Sequence, residues 1–277
     1  METPLLDLIF LSDKRKNVLL LLMEGPKNLE TLRERLKASP TAVQPQIKKL
    51  KEQHLVAQDK DLYKLTDIGK IVVEKMQPLV ETLAVLEENA DYWADRDMGS
   101  IPPSLMRRLS ELGHCTTVEP EIDHMFELIP EFAKNMRKAK KIKAIISYFH
   151  PLFPSFYIEV ARNGAQVSII LPESILKRWI EDYREITEQF INLENTELLV
   201  CRDCERTPNL TVTDIFMGIA LFPKKAVFDR KYVRSFDPRA LAWGEELFEY
   251  YKNLSEQVTE INNLENAVGT GVCETPK

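Results

Sequence analysis

Apolar residues recur at steps of three and four positions in two short segments near the start of the chain. They are Leu29, Leu32 and Leu36 in the first segment, and Val43, Ile47 and Leu50 in the second. This spacing places each set on one face of a short helix. Ser39 and Pro40 stand between the segments, as an N-cap followed by proline at the first helical position. The pattern predicts two helices separated by a tight turn.

A short hairpin and a long helix are predicted next along the chain. Residues 56–58 and 62–65 form the hairpin strands, and Thr66 caps a helix that extends to about residue 89. His54 stands where a helix ends in a left-handed residue. Pro45 either bends the second helix or marks where its regular part begins, because proline lacks a backbone donor. Helix, turn, helix and hairpin in this order predict a winged helix-turn-helix domain over residues 1–75.

The remainder of the chain alternates between strand and helix patterns. We expect a linker or dimerisation helix with a connector at 76–115, an α/β domain at 116–260, and a disordered tail at 261–277. Predicted strands are 142–149, 167–171, 196–201, 210–214, 217–222 and 226–228; predicted helices are 121–138, 153–163, 173–190 and 238–258. The helix over 66–89 fits a dimer interface or core packing equally well. The expected fold class is α+β in two domains, the second with a central sheet flanked by helices.

Charge is distributed unevenly between the two predicted domains. The whole chain has a net charge of −6, but residues 1–75 contain 14 Lys and Arg against 11 Asp and Glu, a net charge of +3. A positively charged first domain joined to an acidic second domain is typical of a regulator with a separate sensing domain. We therefore expect salt-sensitive binding of double-stranded DNA by a homodimer. The longest apolar run near the start, residues 18–23, is too short for a membrane span, and no secretion signal precedes it, so we expect a cytoplasmic protein.

The outward positions of the second helix carry residue types that contact DNA. Gln, Ser and Thr hydrogen-bond to base edges, whereas Lys and Arg bind phosphates. The residues predicted to contact bases or nearby phosphates are Ser39, Thr41, Gln44, Gln46 and Lys48. The residues predicted to contact mainly phosphate are Lys14, Arg15, Lys16, Lys49, Lys60 and Lys64.

A family resemblance rests on motifs in both halves of the chain. In the first half they are Gln-Ile-Lys-Lys-Leu-Lys-Glu-Gln at 46–53, preceded by Pro45, and Leu-Thr-Asp-Ile-Gly at 65–69. In the second half they are Leu-Thr-Val-Thr-Asp at 210–214, Gly-Ile-Ala-Leu-Phe at 218–222, Asp229, and Ser-Phe-Asp-Pro-Arg-Ala-Leu-Ala-Trp-Gly-Glu-Glu-Leu-Phe-Glu at 235–249. The chain resembles archaeal winged-helix transcriptional regulators of the methanogenesis regulatory protein family, with an ArsR-like winged helix. The resemblance implies a DNA-binding domain followed by an effector domain, acting as a dimer, and it names no ligand.

The second half also resembles, more weakly, effector domains with a phospholipase-D-like sheet. That enzyme class requires two His-x-Lys pairs, and none of the four histidines here is followed by Lys at the second position. A Gly-x-Ser-x-Gly elbow and a Gly-rich phosphate loop are absent as well. The sequence therefore predicts a protein that is not an enzyme and that carries no cofactor or metal.

Two groups of residues in the second half are candidates for sensing. Cys201 and Cys204 form the only Cys-x-x-Cys, which fits a redox pair, half of a zinc site, or two thiols where a strand enters a loop. Polar residues at strand ends could bind a small charged effector, although each also fits a solvated turn or a structural ion pair. These residues are Arg202, Thr213, Asp214, Asp229 and Arg230.

Aromatic residues of the second half are predicted mainly as core. They are Trp179, Trp243, Phe216 and Tyr148. The segment His-Pro-Leu-Phe-Pro at 150–154 fits a proline-braced loop or the wall of a pocket.

The hypothesis that these patterns favour is a dimeric DNA-binding transcriptional regulator whose second domain senses a small ligand or a redox signal. One competing hypothesis is a thiol-redox or degenerate phosphodiesterase-like enzyme that carries a winged helix as a docking module. A third treats the winged helix as a protein-interaction module.

Overall fold

The computed structural model describes residues 4–120, 127–202, 204, 206–225 and 229–261. It divides the chain into two compact units, Met1–Glu81 and Thr82–Lys277. The boundary therefore falls six residues later than the limit of 75 expected from the sequence. None of the described helices is long and apolar enough to cross a membrane.

The first unit is a winged helix-turn-helix, which confirms the fold predicted for the start of the chain. Its helices are α1 (Leu5–Phe10), α2 (Asp13–Met23), α3 (Leu29–Arg35), α4 (Pro40–Glu52) and the first part of α5 (Asp67–Glu88). Its strands are β1 (Lys27–Asn28), β2 (Val56–Asp59) and β3 (Leu62–Leu65), which pair antiparallel in the order β1-β3-β2. Val43, Ile47 and Leu50 are fully buried in the core, as the periodicity of α4 predicts.

Helix α4 runs through Pro45 without interruption and ends as the sequence predicts. Its regular part begins at Pro40, so the alternative start near Pro45 was wrong. The hydroxyl of Ser39 makes no cap hydrogen bond and instead lies 3.0 Å from the hydroxyl of Thr41. His54 has a φ of 57°, the left-handed conformation predicted for the residue that ends this helix.

The turn from the hairpin into α5 depends on close packing at Gly69. Thr66 caps the helix: its hydroxyl accepts a hydrogen bond from the backbone N–H of Gly69 at 3.0 Å and donates one to the carbonyl of His54 at 2.5 Å. A Cβ atom added at Gly69 would lie 2.0 Å from the carbonyl oxygen of Leu55. Only glycine therefore lets α5 approach the end of the α4 segment this closely.

The second unit is an α/β domain with one eight-stranded sheet. Its helices are α6 (Ala90–Asp95), α7 (Pro103–Met106), α8 (Pro130–Lys138), α9 (Phe153–Arg162), α10 (Glu173–Ile191) and α11 (Pro238–Lys252), with short 3₁₀ helices at Met98–Ser100 and Leu109–Leu112. Its strands are β4 (Cys115–Val118), β5 (Lys141–Ile145), β6 (Gln166–Pro172), β7 (Thr196–Cys201), β8 (Asn209–Thr213), β9 (Met217–Ala220), β10 (Tyr232–Ser235) and β11 (Glu256–Gln257). The sheet order is β11-β7-β6-β5-β8-β9-β10-β4, parallel from β5 to β7 and antiparallel elsewhere.

Alternate residues of the central strands enter two separate apolar cores. Ile142 and Ala144 of β5 pack with α8, α9 and α10, whereas Ile145 faces the core that contains α6, α7 and α11. Ile169 and Ile170 of β6 divide in the same way. Because successive side chains of a strand point to opposite faces, this division places helices on both faces of the sheet. The predicted central sheet flanked by helices is confirmed.

Several predicted boundaries in this unit differ from the structure. The helix predicted over 121–138 begins at Pro130, since proline restricts the residue before it and favours the first helical position. The strand predicted over 142–149 ends at Ile145, the strand over 217–222 ends at Ala220, and the helix over 238–258 ends at Lys252. The strand predicted over 226–228, the tail after residue 261 and residues 121–126 lie outside the described residues.

The region expected to be a connector is part of the second core. Tyr92, Trp93 and Leu105 are buried there, and the indole of Trp243 donates to the carbonyl of Leu105 at 3.0 Å. Short helices provide too few turns to show a helical period, which explains why the sequence pattern missed them. Strands β4 and β10, which pair with each other, were missed as well.

Candidate functional site

The first candidate site is the exposed face of α4 in the first unit. Thr41, Gln44, Lys48 and Lys49 are exposed there, opposite the buried apolar face. Ser39 is exposed at the start of the helix. This face offers hydroxyl, amide and ammonium groups to solvent, as the periodicity predicts.

Two predicted DNA contacts are instead engaged with each other. The guanidinium Nη1 of Arg15 donates to Oε1 of Gln46 at 2.8 Å, and its Nε donates to the carbonyl of Leu8. Both side chains are partly buried. They tie α2 to α4 and α1, so a contact of either side chain with DNA would first break this link.

The predicted phosphate-binding lysines fall into two groups. Three have carboxylate neighbours: Lys16 Nζ is 2.9 Å from Asp13, Lys48 Nζ is 4.0 Å from Glu52, and Lys64 Nζ is 3.6 Å from Asp59. Among the described residues, no carboxylate oxygen lies within 4.0 Å of the ammonium groups of Lys14, Lys49 and Lys60. These three lysines therefore carry the uncompensated positive charge of the predicted set.

One residue that the sequence analysis missed connects α4 to the hairpin. Lys51 Nζ donates to Oε1 of Gln58 at 2.8 Å, and the amide of Gln58 donates to the carbonyl of Lys60 at 2.9 Å. Lys60 has a φ of 53° at the hairpin turn. The Lys-rich run of α4 was the only signal for Lys51. Its contact fixes the hairpin tip relative to the end of α4.

The second unit does not bring the predicted ligand-binding residues together. Arg202 pairs at the surface with Glu173 at 3.2 Å and with Glu256 at 3.1 Å. The hydroxyl of Thr213 accepts from the backbone of the turn at residues 215 and 216, and Asp214 accepts from the backbone N–H groups of residues 140 and 141. These side chains are thus engaged in contacts within the protein, and the ligand-binding role predicted for them stays a prediction.

Asp229 forms an ion pair with a residue that the sequence analysis did not single out. Nη1 and Nη2 of Arg96 lie 2.9 and 2.6 Å from the two carboxylate oxygens of Asp229, and Nη1 also donates to the carbonyl of Leu221 at 3.3 Å. The Arg96 guanidinium lies 4.4 Å from the centroid of the Tyr92 ring. Burial opposes ionisation of Asp229, but the hydrogen bond and charge of Arg96 outweigh it and hold the pKa of this carboxyl below its usual range.

Arg230, the neighbour of Asp229, lines a cavity in the second unit that we call the aromatic cavity. The cavity has a volume of about 50 Å³ and is partly open to solvent. Its walls include five aromatic rings, those of Phe132, Tyr148, Phe153, Tyr157 and Tyr232. Its polar lining consists of Asn209, Thr211, Arg230 and the hydroxyl-bearing side chains of the three tyrosines.

Several buried polar groups of the aromatic cavity that can donate a hydrogen bond have no partner among the described residues. Nε and Nη1 of Arg230 are buried and have no hydrogen-bond partner among the described residues, and the same holds for the hydroxyl of Tyr232. Burial raises the pKa of Tyr232 to about 12, so this phenol keeps its proton at neutral pH. Arg230 is the one charged side chain among the described residues of the lining.

His150 lies behind the aromatic wall of this cavity. It is 3% exposed and stacks on Phe153 with ring centroids 4.7 Å apart. Its Nδ1 accepts from the backbone N–H of Leu152 at 3.2 Å, which places the proton of the neutral ring on Nε2. Burial and the nearby charge of Arg230 lower the pKa of His150 to about 4. The ring is therefore neutral at pH 7, with a buried Nε2–H donor that has no partner among the described residues.

The two cysteines of the Cys-x-x-Cys motif are joined as a disulfide. Cys201 is buried at the end of β7, and its Cα atom is 5.5 Å from that of Cys204. The remaining described cysteine, Cys115, is a free buried thiol whose pKa is raised by burial to about 11. In the described part of the chain, no three His, Cys, Asp or Glu side chains are grouped to hold a metal ion.

Sequence reasoning found one residue of the aromatic cavity and missed most of the others. Arg230 was predicted, and the segment at 150–154 contributes Phe153 to the wall. Tyr148 was expected in the core but lines the cavity, whereas Trp179, Trp243 and Phe216 are buried as predicted. The remaining lining residues carry no local signal, because an inward tyrosine or threonine on a strand has the same pattern as a core residue.

The fold defines the class: a two-domain protein with a winged helix followed by an α/β unit that contains a cavity of its own. The family comparison is consistent with both parts. Residues 5–84 match the family model described as methanogenesis regulatory protein FilR1, N-terminal domain, and residues 125–254 match its middle domain. The chain belongs to the methanogenesis regulatory protein FilR1 family, which confirms the resemblance.

Individual relatives give the extent of the similarity. The chain is 28% identical over 259 residues to methanogenesis regulatory protein FilR1 of Methanothrix harundinacea (strain 6Ac), covering 90% of this chain and 57% of that protein. It therefore spans little more than half the length of this relative. Among solved structures, TrmBL2, an archaeal chromatin protein, matches 89% of this chain and 94% of its own at 15% identity and a TM-score of 0.42. The apo form of the C30AH42A mutant of ZitR from Lactococcus lactis matches 29% of this chain and 67% of its own at 29% identity and a TM-score of 0.26.

Proposed function

We propose that this chain is a DNA-binding transcriptional regulator in which the winged helix binds duplex DNA and the second unit senses a small molecule. The observation that carries the proposal is the exposed face of α4. It presents Gln44 and Thr41 beside Lys49, whose ammonium group has no carboxylate within 4.0 Å among the described residues. Membership of a family of regulatory proteins supports the same function.

The roles within this face follow from side-chain chemistry. Gln44 and Thr41 can hydrogen-bond to base edges in a major groove, which distinguishes sequences. Lys49 and Lys60, on the helix and at the hairpin turn, bind phosphates and add affinity for any sequence. The Arg15–Gln46 link stabilises the helix that presents them, so we assign these two residues a positioning role.

A homodimer is part of this proposal. Ile68, Ile71 and Leu79 lie along one stripe of α5 and are exposed, Ile71 by 62%. Burying these apolar side chains would stabilise the protein, because apolar surface is unfavourable in water. A second copy of the same helix would cover the stripe symmetrically. Sedimentation velocity on the full chain measures the oligomeric state directly.

The proposal is tested by fluorescence anisotropy with a duplex from the region upstream of the protein's own gene and a scrambled duplex, across a salt series. We expect preference for the native duplex and an affinity that falls steeply with salt. Lys49→Ala should lower the slope of log affinity against log salt by about 1 for each bound copy of the chain, hence by about 2 for a homodimer, with both duplexes. Gln44→Ala should reduce mainly the preference between them.

The control is Lys177→Ala, which removes a partly exposed lysine on α10 of the second unit and should change neither quantity. Equal effects of Lys49→Ala and Lys177→Ala would contradict the role assigned to α4. Absence of salt-dependent binding by folded protein would refute the proposed function and favour the protein-interaction alternative.

A redox signal is the second candidate input of the sensing unit. The disulfide between Cys201 and Cys204 supports it, because two cysteines three positions apart can close and open with the redox state of their surroundings.

A further inference from the structure

The aromatic cavity contains more hydrogen-bond donors than the protein itself satisfies. Two nitrogens of Arg230 and the hydroxyl of Tyr232 are buried without a partner among the described residues. A buried donor left unpaired is costly, and folded proteins pair the great majority of such groups. Three unpaired donor atoms that line one cavity therefore indicate a missing acceptor.

The charges around the cavity indicate that this acceptor is an anion. The neighbouring Arg234 is compensated by Glu131, with 2.7 Å between Nη1 and the carboxylate, and Asp229 is compensated by Arg96. Arg230 has no carboxylate within 4.0 Å among the described residues; it donates to the carbonyl of Glu127 at 3.4 Å and is hydrogen-bonded to the hydroxyl of Tyr148. The guanidinium is thus a positive charge in a mostly apolar surrounding, where an anionic partner is favoured most strongly.

The walls of the cavity define the rest of the ligand. The rings of Phe132, Tyr148 and Phe153 form an apolar surface, and the Arg230 guanidinium lies 5.9 Å from the centroid of the Tyr148 ring. A Cβ atom at Gly218 would lie 3.2 Å from the ring of Tyr232, so glycine keeps this side of the cavity open. Aromatic walls favour a flat apolar body stacked against them.

The backbone around Arg230 is held in place by the ion pair beside it. Asp229 accepts the backbone N–H of Lys231 at 3.1 Å while it binds Arg96, and Arg230 between them has a φ of 58°. The left-handed conformation is costly for a residue with a Cβ atom and persists only where neighbouring contacts enforce it. Arg96 and Asp229 therefore act as positioning residues for Arg230.

From these observations we propose that the aromatic cavity binds a small organic anion that combines one anionic head group with a flat apolar body. Arg230 and Tyr232 hold the head group by charge-assisted and neutral hydrogen bonds, and the aromatic walls hold the body. This inference deepens the proposed function, since it names the class of molecule that the second unit senses.

Isothermal titration of the full chain, without DNA, tests the inference with three probes of similar shape. The anions are phenylacetate and phenyl phosphate, and the neutral control is phenylacetamide. We expect at least one anion to bind at least tenfold more tightly than the amide, because hydrogen bonds to charged groups contribute roughly 10- to 150-fold in affinity. Anions that bind no better than the amide would overturn the inference.

Variants test which residues hold the head group. Arg230→Met should weaken binding of the anion at least tenfold and leave the weak binding of the amide unchanged. Tyr232→Phe removes only the hydroxyl and should weaken binding of the anion severalfold. Because this change is small, it tests the site even if Arg230→Met does not fold. Arg202→Met, which removes a paired surface arginine, is the matched control and should bind like the native chain.

Native-like anion binding by Arg230→Met would refute the assignment. The proposed function fails separately, since DNA binding is measured without any probe. A chain that binds DNA and none of the anions would overturn this inference and leave the regulator intact.

Discussion

Removing the guanidinium of Arg96 should destabilise the second unit more than removing an arginine from any surface ion pair. Arg96 is 2% exposed and forms a bidentate pair with Asp229, whose side chain is 29% exposed. It also donates to the carbonyl of Leu221 and packs against the ring of Tyr92. Arg96→Met keeps most of the side-chain volume and removes every polar contact at once.

The magnitude follows from the burial of the pair. Breaking a buried ion pair by removing one partner costs about 3–5 kcal/mol, because the other charge remains uncompensated. Asp229 keeps partial access to water, which reduces that cost toward the lower limit, so we expect a loss of about 3 kcal/mol in the free energy of unfolding. For a unit of this size, 1 kcal/mol corresponds to roughly 2–4 °C, so the Tm should fall by about 6–12 °C.

Urea and thermal unfolding followed by circular dichroism measure both quantities. The control is Arg137→Met, which breaks the pair with Glu159 at 2.7 Å. Both of those side chains are about half exposed, so its loss should stay below about 1 kcal/mol. If Arg96→Met were no more destabilising than Arg137→Met, the buried pair would not anchor this part of the fold.

Two further predictions concern the histidine behind the aromatic cavity and the disulfide. The folded pKa of His150, about 4, lies below its ordinary value of 6.5, so the unfolded chain binds the extra proton between these pH values. The free energy of unfolding should therefore fall as the pH drops from 6.5 to 4, by at most about 1.4 kcal/mol per pH unit. Urea unfolding of His150→Asn should show a weaker pH dependence than that of the native chain. An equal pH dependence of the two proteins would contradict this prediction. If a redox signal acts through the disulfide, dithiothreitol should change the anisotropy-measured DNA affinity of the native chain and of Cys115→Ser, but not of Cys201→Ser/Cys204→Ser. A double variant that responds to dithiothreitol like the native chain would exclude this switch.

Local signals in the sequence were sufficient for the elements of the winged helix. The apolar spacing of α4, the cap at Thr66 and the left-handed residue His54 each depend on neighbours within a few positions. Strands β6 and β7 were recognised for the same reason, since each contains a short run of apolar residues within its own segment. Such elements can be predicted because the residues that determine them lie within the element or next to it in the sequence.

The candidate ligand site could not be predicted in the same way, because its contacts join distant parts of the chain. Arg96 and Asp229 are 133 positions apart, and neither carries a local pattern that names the other. Tyr148, in the loop after β5, and Tyr232, on β10, line one cavity although they are far apart in the chain. The sequence singled out Arg230 as a candidate but grouped it with Arg202 and Asp214, which the fold places in surface and turn contacts of their own.

The ion pair and the cavity are parts of one arrangement, so stability and ligand binding should be coupled in this unit. Asp229 is fixed by Arg96 and is followed directly by Arg230, whose unpaired donors face the cavity. Loss of Arg96 would release the backbone that presents Arg230, and the ligand would then have to order that backbone as it binds. An anion that binds only the folded unit raises its stability by an amount set by its concentration relative to Kd. Arg96→Met should consequently lower the Tm of the unit and also reduce the Tm increase that a saturating anion gives the native chain, whereas Arg137→Met should leave that increase unchanged.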